Sequence, residues 1–103
     1  MHWKEKLYER KLKRPIDEKT RAAIQSEFRR RRDQIPIPTE LSWNASKPEL
    51  TIRSQWISFI VHFSREHMVV NAELSLAAKM FATEENRRYA VHFIEGVAND
   101  LNL

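Results

Sequence analysis

Apolar and polar residues alternate along three consecutive stretches in the second half of the chain. Leu50 and Ile52 have polar neighbours, and residues 57–63 carry Ile, Phe, Val and Phe at every second position. Residues 68–76 continue this two-residue period, which is typical of β-strands with one buried face. Short polar connections without glycine separate the stretches. The pattern predicts an antiparallel meander whose turns are slightly longer than the tightest hairpins, or bulged.

A helical period follows these strands. Between residues 84 and 99 the apolar side chains fall within an arc of roughly 160° when each residue advances the helix by about 100°. Thr83 is the expected N-cap, and Glu84 and Glu85 complement the positive end of the helix dipole. Gly96 lies on the polar side, where glycine costs about 1 kcal/mol relative to alanine. We predict an amphipathic helix that covers one sheet face.

The first third of the chain predicts helices with fewer apolar residues. From Asp17 to Ile35 the apolar side chains recur on one helical face, and Pro36 ends the helix because proline lacks an amide hydrogen. Residues 1–14 predict a basic helical extension in front of a single domain of residues 15–103. A short strand over residues 41–45 forms either the beginning of the Leu50 strand or a separate edge strand.

These elements together predict an α+β fold in the order helix, three strands, helix. The antiparallel sheet has three or four strands, and both helices pack on one of its faces. On the strand of residues 57–63, Ile60 shares the opposite face with the preceding Trp56. Apolar residues on that second face require a cover, which a dimer would supply. We therefore expect a homodimer formed through the face of Trp56 and Ile60 or through the N-terminal helix.

Composition and hydropathy place the chain among globular proteins. It is 42% hydrophobic and 31% charged, which suits a domain with a modest core. It has no cysteine, which excludes disulfides, thiolate metal sites and thiol catalysis. The longest near-apolar run, residues 56–63, is shorter than the ~20 residues that span a bilayer, and the first residues lack a signal-peptide pattern. We expect a bacterial, cytoplasmic protein with no transmembrane segment.

Charge is distributed unevenly along the chain. Residues 1–35 contain 12 Lys and Arg against 6 Asp and Glu, whereas residues 36–103 contain 6 against 8. The run of four arginines from Arg29 to Arg32 surrounds the helix, because successive helical residues point ~100° apart. A solvated role therefore competes with phosphate binding. The candidate phosphate or partner contacts are Arg29, Arg30, Arg32, Arg87, Arg88 and Trp56.

Catalytic and metal-binding motifs are missing from the sequence. The single glycine excludes a glycine-rich phosphate loop, and the three aspartates lie on or beside the predicted helices, away from the strand histidines. His62 and His67 lie near Glu66 and Glu73, but this spacing lacks the closely spaced histidine pair or cysteine of common zinc sites. We expect no catalytic residue, no metal site and no cofactor, and hence a protein that is not an enzyme.

Several stretches resemble a known bacterial family in residue type. They are Leu41-Ser42-Trp43, Glu49-Leu50-Thr51-Ile52, residues 69–74 and His92-Phe93-Ile94-Glu95. Over its C-terminal two-thirds the chain resembles the polyhydroxyalkanoic acid system proteins, which have an N-terminal helix, a run of short strands and a closing amphipathic helix. The resemblance implies a non-enzymatic accessory protein that associates with a storage-polymer granule or a protein partner. The basic residues 1–14 depart from the family pattern.

The predicted order of elements is also similar to that of the double-stranded RNA-binding domain. In that family, lysines at the start of the second helix reach RNA phosphates. Arg87 and Arg88 have the corresponding position, although Glu84 and Glu85 precede them and the family's loop with glycine and proline has no counterpart. An RNA-binding module that uses basic helix residues on phosphates is therefore the alternative hypothesis.

Overall fold

The computed structural model describes residues 2–31, 33, 39–54, 57–75 and 83–103. Within these ranges the chain forms five strands and two helices. The strands are β1 (His2–Lys11), β2 (Glu40–Trp43), β3 (Glu49–Arg53), β4 (Ile57–Phe63) and β5 (His67–Ser75), and the helices are α1 (Glu18–Arg31) and α2 (Glu84–Asp100).

All five strands join one antiparallel sheet in the order β1-β5-β4-β3-β2. Strands β2 to β5 form the predicted meander, with β2 as a separate strand at one edge. The α+β class and the antiparallel sheet are confirmed. The order of elements differs in detail, because a strand precedes α1 and the sheet has one strand more than the predicted maximum of four.

The prediction of a basic helix over residues 1–14 is wrong, because residues 2–11 form β1. Its register with β5 shifts between Lys6 and Tyr8, which leaves Leu7 as the extra residue of a bulge. Directly opposed residues of an antiparallel pair share a face. Before Leu7 the even-numbered residues of β1 face away from the helices, and after Leu7 the odd-numbered residues do. Because the alternation of faces reverses at Leu7, the two-residue period of a strand is not visible in the sequence of β1.

Local hydrogen bonds define where α1 begins. The carboxylate of Asp17 accepts bonds of 2.7 Å from the backbone N and the Oγ1 of Thr20, as an N-cap does. These bonds lower the pKa of Asp17. The helix continues to Arg31, and the rest of its predicted length, residues 32–35, lies largely outside the described residues.

Both ends of α2 have capping interactions. Thr83 Oγ1 accepts a hydrogen bond of 3.2 Å from Asn86 N, which confirms the predicted N-cap. At the other end, Asn102 has a φ of 57°, and the amides of Asn102 and Leu103 donate to the carbonyls of Asn99 and Ala98. This arrangement is the Schellman motif, with asparagine where glycine is commonest.

The core lies between the sheet and the two helices. Phe28 of α1 packs edge-to-face on Phe93 of α2, with ring centroids 5.9 Å apart. Full burial of a large apolar side chain contributes about 1.5–3 kcal/mol, so this layer is the main source of stability. The central cluster of buried residues consists of Leu12, Ile24, Leu50, Val61, Phe63, Met68, Val70, Ala98 and Leu103.

The opposite face of the sheet has no helix on it within the described residues, and we call it the outer face. Cross-strand rows run along it, for example Lys6, Asn71, Ile60, Thr51 and Ser42 from β1 to β2. None of its side chains is buried. The outer face consists of Lys4, Lys6, Glu9, Lys11, Glu40, Ser42, Glu49, Thr51, Arg53, Ser58, Ile60, His62, His67, Val69, Asn71 and Glu73.

Candidate functional site

The arginines predicted to contact phosphate lie at two separate places. Arg29 and Arg30 belong to the last turn of α1, whereas Arg87 and Arg88 belong to the first turn of α2. The end of α1 packs near Gly96, about 12 Å along α2 from residue 88 at 1.5 Å per residue. Arg29 and Arg30 therefore lie at a different part of the helix layer from Arg87 and Arg88. Arg32 and Trp56, the other two candidates, lie outside the described residues.

Carboxylates within the chain bind the arginines at the end of α1. Glu27 pairs with Arg30 Nη2 and lies 2.8 Å from Arg31 Nε. The hydrogen bond from Arg30, followed by that from Arg31, lowers the pKa of Glu27 to about 2. Arg31 also pairs with Asp100 of α2. The pair of Arg31 with Asp100 joins the two helices, whereas the pairs with Glu27 lie within α1, so two of the four arginines in the run have structural contacts.

Arg87 performs a similar role between α2 and β1. Its Nε lies 2.7 Å from Glu5 Oε1, and its Nη2 donates to Glu5 Oε2 at 2.9 Å. The contact is an ion pair with one charge-assisted hydrogen bond, the one from Nη2. Arg88 lies 3.8 Å from Glu84, and both side chains are largely exposed. A phosphate at the start of α2 would have to compete with Glu5 and Glu84.

Cations of the N-terminal segment also bind the end of α2. Arg10 Nη1 donates to Asn99 Oδ1 at 2.7 Å, and Lys13 Nζ donates to Asn102 Oδ1. The last turn of α2 contains no basic residue, although a helix C-terminus favours positive charge. Arg10 and Lys13 supply that charge from a segment 89 positions away in the sequence. Part of the N-terminal charge excess therefore stabilises the fold, which sequence reasoning missed because the contacts are not local.

A groove of about 280 Å³ lies between β1 and the first half of α2. Side chains of both charges line it, with Leu7 and Val91 as the apolar members. Its volume falls just below the roughly 300–1,000 Å³ of typical small-molecule sites. We call it the β1–α2 groove; it is lined by Glu5, Lys6, Leu7, Glu84, Arg87, Arg88, Val91 and His92.

Three aromatic side chains of the sheet, Trp43, Phe59 and Phe63, pack in or against the core. Trp43 stacks on the buried Phe63 with centroids 5.8 Å apart, and the Arg21 guanidinium lies 5.4 Å from the Trp43 ring centroid. Phe59 is on the helix-facing side of β4 and lies opposite Ala72. Tyr89 of α2 is 51% exposed. Tyr89 is therefore the exposed ring among these four, and they do not form the exposed row that stacking of successive bases requires.

The histidines of the strands lie on the outer face. His62 Nδ1 is 3.2 Å from Glu49 Oε2 on the neighbouring strand, whereas His67 lies opposite Lys11 of β1. No group of three or more potential metal ligands occurs in the part of the chain that the structure describes. Neither described helix is long and apolar enough to cross a membrane.

Comparisons of the chain with protein-family models, with curated proteins and with solved structures find no match. What the protein binds is therefore inferred from its own surfaces. The described residues offer three of them: the outer face, the free edge of β1 and the β1–α2 groove.

Proposed function

We propose that the protein is a small, non-catalytic accessory protein of the bacterial cytoplasm, and that it binds a protein partner through the outer face. The supporting observation is the pair of apolar side chains, Ile60 and Val69, at the centre of this face. They lie on adjacent strands as diagonal neighbours, and both are partly exposed. An apolar centre inside a polar rim is the arrangement of protein–protein interfaces.

The rim charges favour a protein over a polyanion. Lys4 lies opposite Glu73, and Lys6 Nζ is 3.0 Å from Glu9 Oε2. The hydrogen bond from Lys6 lowers the pKa of Glu9. A nucleic acid would meet a carboxylate beside each of these lysines. A protein surface of mixed charge is complementary to such a rim, and the protein coat of a storage-polymer granule is one such surface.

Site-specific photo-crosslinking in the producing cells tests this proposal. Benzoylphenylalanine placed at position 60 or at position 69 should yield one discrete adduct with another protein. The same group at Glu85, an exposed position in the first turn of α2, should not yield that adduct. An adduct that nuclease removes, an adduct only with a second copy of the chain, or no adduct at either position would contradict the proposal.

RNA binding is the alternative function, and it makes the opposite prediction for the purified protein. Phosphate contacts release counterions, so RNA affinity must fall steeply as salt rises. We expect no gel shift of double-stranded RNA at low salt, because Glu27 and Glu5 bind Arg30 and Arg87. A salt-sensitive shift that disappears in the double variant Arg29→Gln/Arg88→Gln would replace the accessory function with RNA binding.

A further inference from the structure

The strand β1 has a free edge. It is ten residues long, and no strand among the described residues pairs with its side opposite β5. The unpaired backbone groups of such an edge can bind another strand. The other edge strand, β2, has only four residues, which is short for stable pairing. The longer edge is therefore the site at which strand addition is expected.

The sequence of this edge is complementary in charge to itself. Residues 5–10 are Glu-Lys-Leu-Tyr-Glu-Arg, so the charges run negative, positive, two uncharged positions, negative, positive. A second copy running antiparallel presents the same charges in reverse order. Every charged residue of the segment then lies opposite a residue of opposite sign, and the two uncharged residues lie opposite each other.

We propose that two copies of the protein pair antiparallel along β1 and form a continuous ten-stranded sheet. In this register Glu5 of each copy lies opposite Arg10 of the second copy, Lys6 lies opposite Glu9, and Leu7 lies opposite Tyr8. The dimer does not depend on the function proposed for the outer face, because that function rests on Ile60 of β4 and Val69 of β5, whereas the dimer forms along β1. It also leaves the outer face open to another protein.

The bulge makes this register geometrically consistent. When two copies of a regular strand pair antiparallel, opposed residues must lie on the same face of the sheet. Side chains alternate between faces with a period of two, so an even-numbered residue can lie opposite only an even-numbered one, and an odd-numbered residue only an odd-numbered one. Leu7 changes the parity within β1. Lys6 and Glu9 consequently share the outer face, whereas Glu5 and Arg10 share the helix-facing side. Each attractive pair of the register therefore has both members on the same face.

Neighbouring registers are less favourable. A shift by two residues in one direction leaves Lys4 opposite Glu9 as the only attractive pair of charged residues. A shift in the other direction sets Lys6 opposite Lys11. The proposed register has one repulsive contact, Lys4 opposite Lys11, at each end of the paired segment. Its attractive pairs occur twice by symmetry, which gives four against two repulsive contacts, and the Glu5–Arg10 pairs would extend the contacts that Glu5 makes with Arg87 and Arg10 makes with Asn99 within each chain.

The dimer can be tested by reversing single charges in β1 and then mixing the variants. The mass from light scattering of the purified protein at high concentration should be twice the 12.3 kDa of the chain. Lys6→Glu and Glu9→Lys should each raise the dissociation constant by about tenfold or more, because each sets two pairs of like charges opposite each other. An equimolar mixture of these two variants should restore the dimer.

The experiment that mixes the two variants distinguishes Lys6–Glu9 pairing between copies from Lys6–Glu9 pairing within one chain. Lys6 and Glu9 also bind each other within β1, and each single variant loses that pair. Mixing cannot restore a contact within one chain, so recovery of mass requires pairing between copies. Arg53→Glu, a reversal on the outer face away from the edge, is the matched control and should leave the dimer mass unchanged.

Two further measurements do not depend on the folding of the Lys6 and Glu9 variants: Lys4→Glu tests the register, and hydrogen exchange in the wild type tests the paired edge. In the proposed register, Lys4→Glu should strengthen the dimer, since the new glutamate would lie opposite Lys11 of the second copy. In the shifted register the glutamate would lie opposite Glu9, and the variant would weaken the dimer. In the wild type, amide hydrogen exchange in β1 should slow as protein concentration rises, while exchange in β2 should not change. A monomeric wild type at high concentration, or a mixture that stays monomeric, would overturn the proposal.

Discussion

The two faces of the sheet differ most clearly at Val69 and Val70, neighbours of the same residue type in β5. Val70 is fully buried, at 0% exposure, against the helix layer. Val69 is partly exposed on the outer face, where it lies opposite His62. Because successive strand residues point to opposite faces, the helix-facing side forms the core and the outer face stays accessible.

Charges are also used differently on the two sides. On the helix-facing side, Arg87 binds Glu5 and Arg10 binds Asn99 across elements that are distant in sequence. These contacts hold α2 on the sheet. On the outer face, Lys6 and Glu9 bind each other within one strand, and both remain open to a second chain. The N-terminal charges therefore hold α2 in place on one side of the sheet and form a pair within the exposed strand on the other.

The largest difference between the faces should be found in β4. Phe63→Ala should lower the free energy of unfolding by about 3–5 kcal/mol, because a buried aromatic ring is lost and a cavity remains. Ile60→Ala, on the outer face of the same strand, should cost less than about 1.5 kcal/mol, since its side chain is already partly exposed. Urea unfolding of both variants measures the contrast, and equal losses would show that the faces are not distinct.

A smaller effect concerns the contact between the two helices. A Cβ at Gly96 would lie 2.8 Å from Arg31 Nη1, so alanine must displace the guanidinium that pairs with Asp100. Gly96→Ala should therefore change the wild-type free energy of unfolding by much less than the ~1 kcal/mol that helix propensity favours. In an Arg31→Ala background it should give that full gain. If Gly96→Ala raised the free energy of unfolding equally in the two backgrounds, Gly96 would not be needed to make room for the Arg31 side chain.

The smallest effect is the pH dependence of stability that comes from Glu27 in α1. The pKa of Glu27 in the folded protein, about 2, lies below its ordinary value of 4.5, so its ionised form stabilises the fold. This contribution is complete above pH 4.5 and is lost as pH falls from about 4.5 to 2.

The variant Glu27→Gln should show a shallower loss of stability than the wild type over this pH interval. Glu85→Gln, in the exposed first turn of α2, serves as the matched control. Urea midpoints measured across the interval check the difference. Identical slopes for the wild type and Glu27→Gln would contradict the role of this carboxylate.

The elements with a regular period could be predicted from the sequence. Strands β3, β4 and β5 and helix α2 show the two-residue or helical repeat over their whole length, and the N-cap role of Thr83 follows from local residue types. The edge strand β1 could not be predicted, because Leu7 interrupts its period and its partner strand lies about 60 residues away. A bulge has no reliable signal in a single sequence.

The candidate site shows the same limit. Arg87 was identified from its position at a helix start, but its pairing with Glu5 depends on tertiary structure. Arg30 could have been assigned from the sequence, since Glu27 lies three residues before it on one helix. The role of Arg10 at the end of α2 could not have been assigned from the sequence, because no pattern in the sequence indicates that β1 and the end of α2 are in contact. The roles predicted for Arg32 and Trp56 remain predictions.

The most direct test of the division between the faces uses the neighbouring valines. In protein carrying benzoylphenylalanine at position 60, Val69→Glu should fold with an unfolding midpoint close to that of the parent and lose the crosslinked protein adduct. Val70→Glu should not fold, because it buries an unpaired carboxylate. A folded Val69→Glu protein that keeps the adduct, or a stable Val70→Glu protein, would contradict the account.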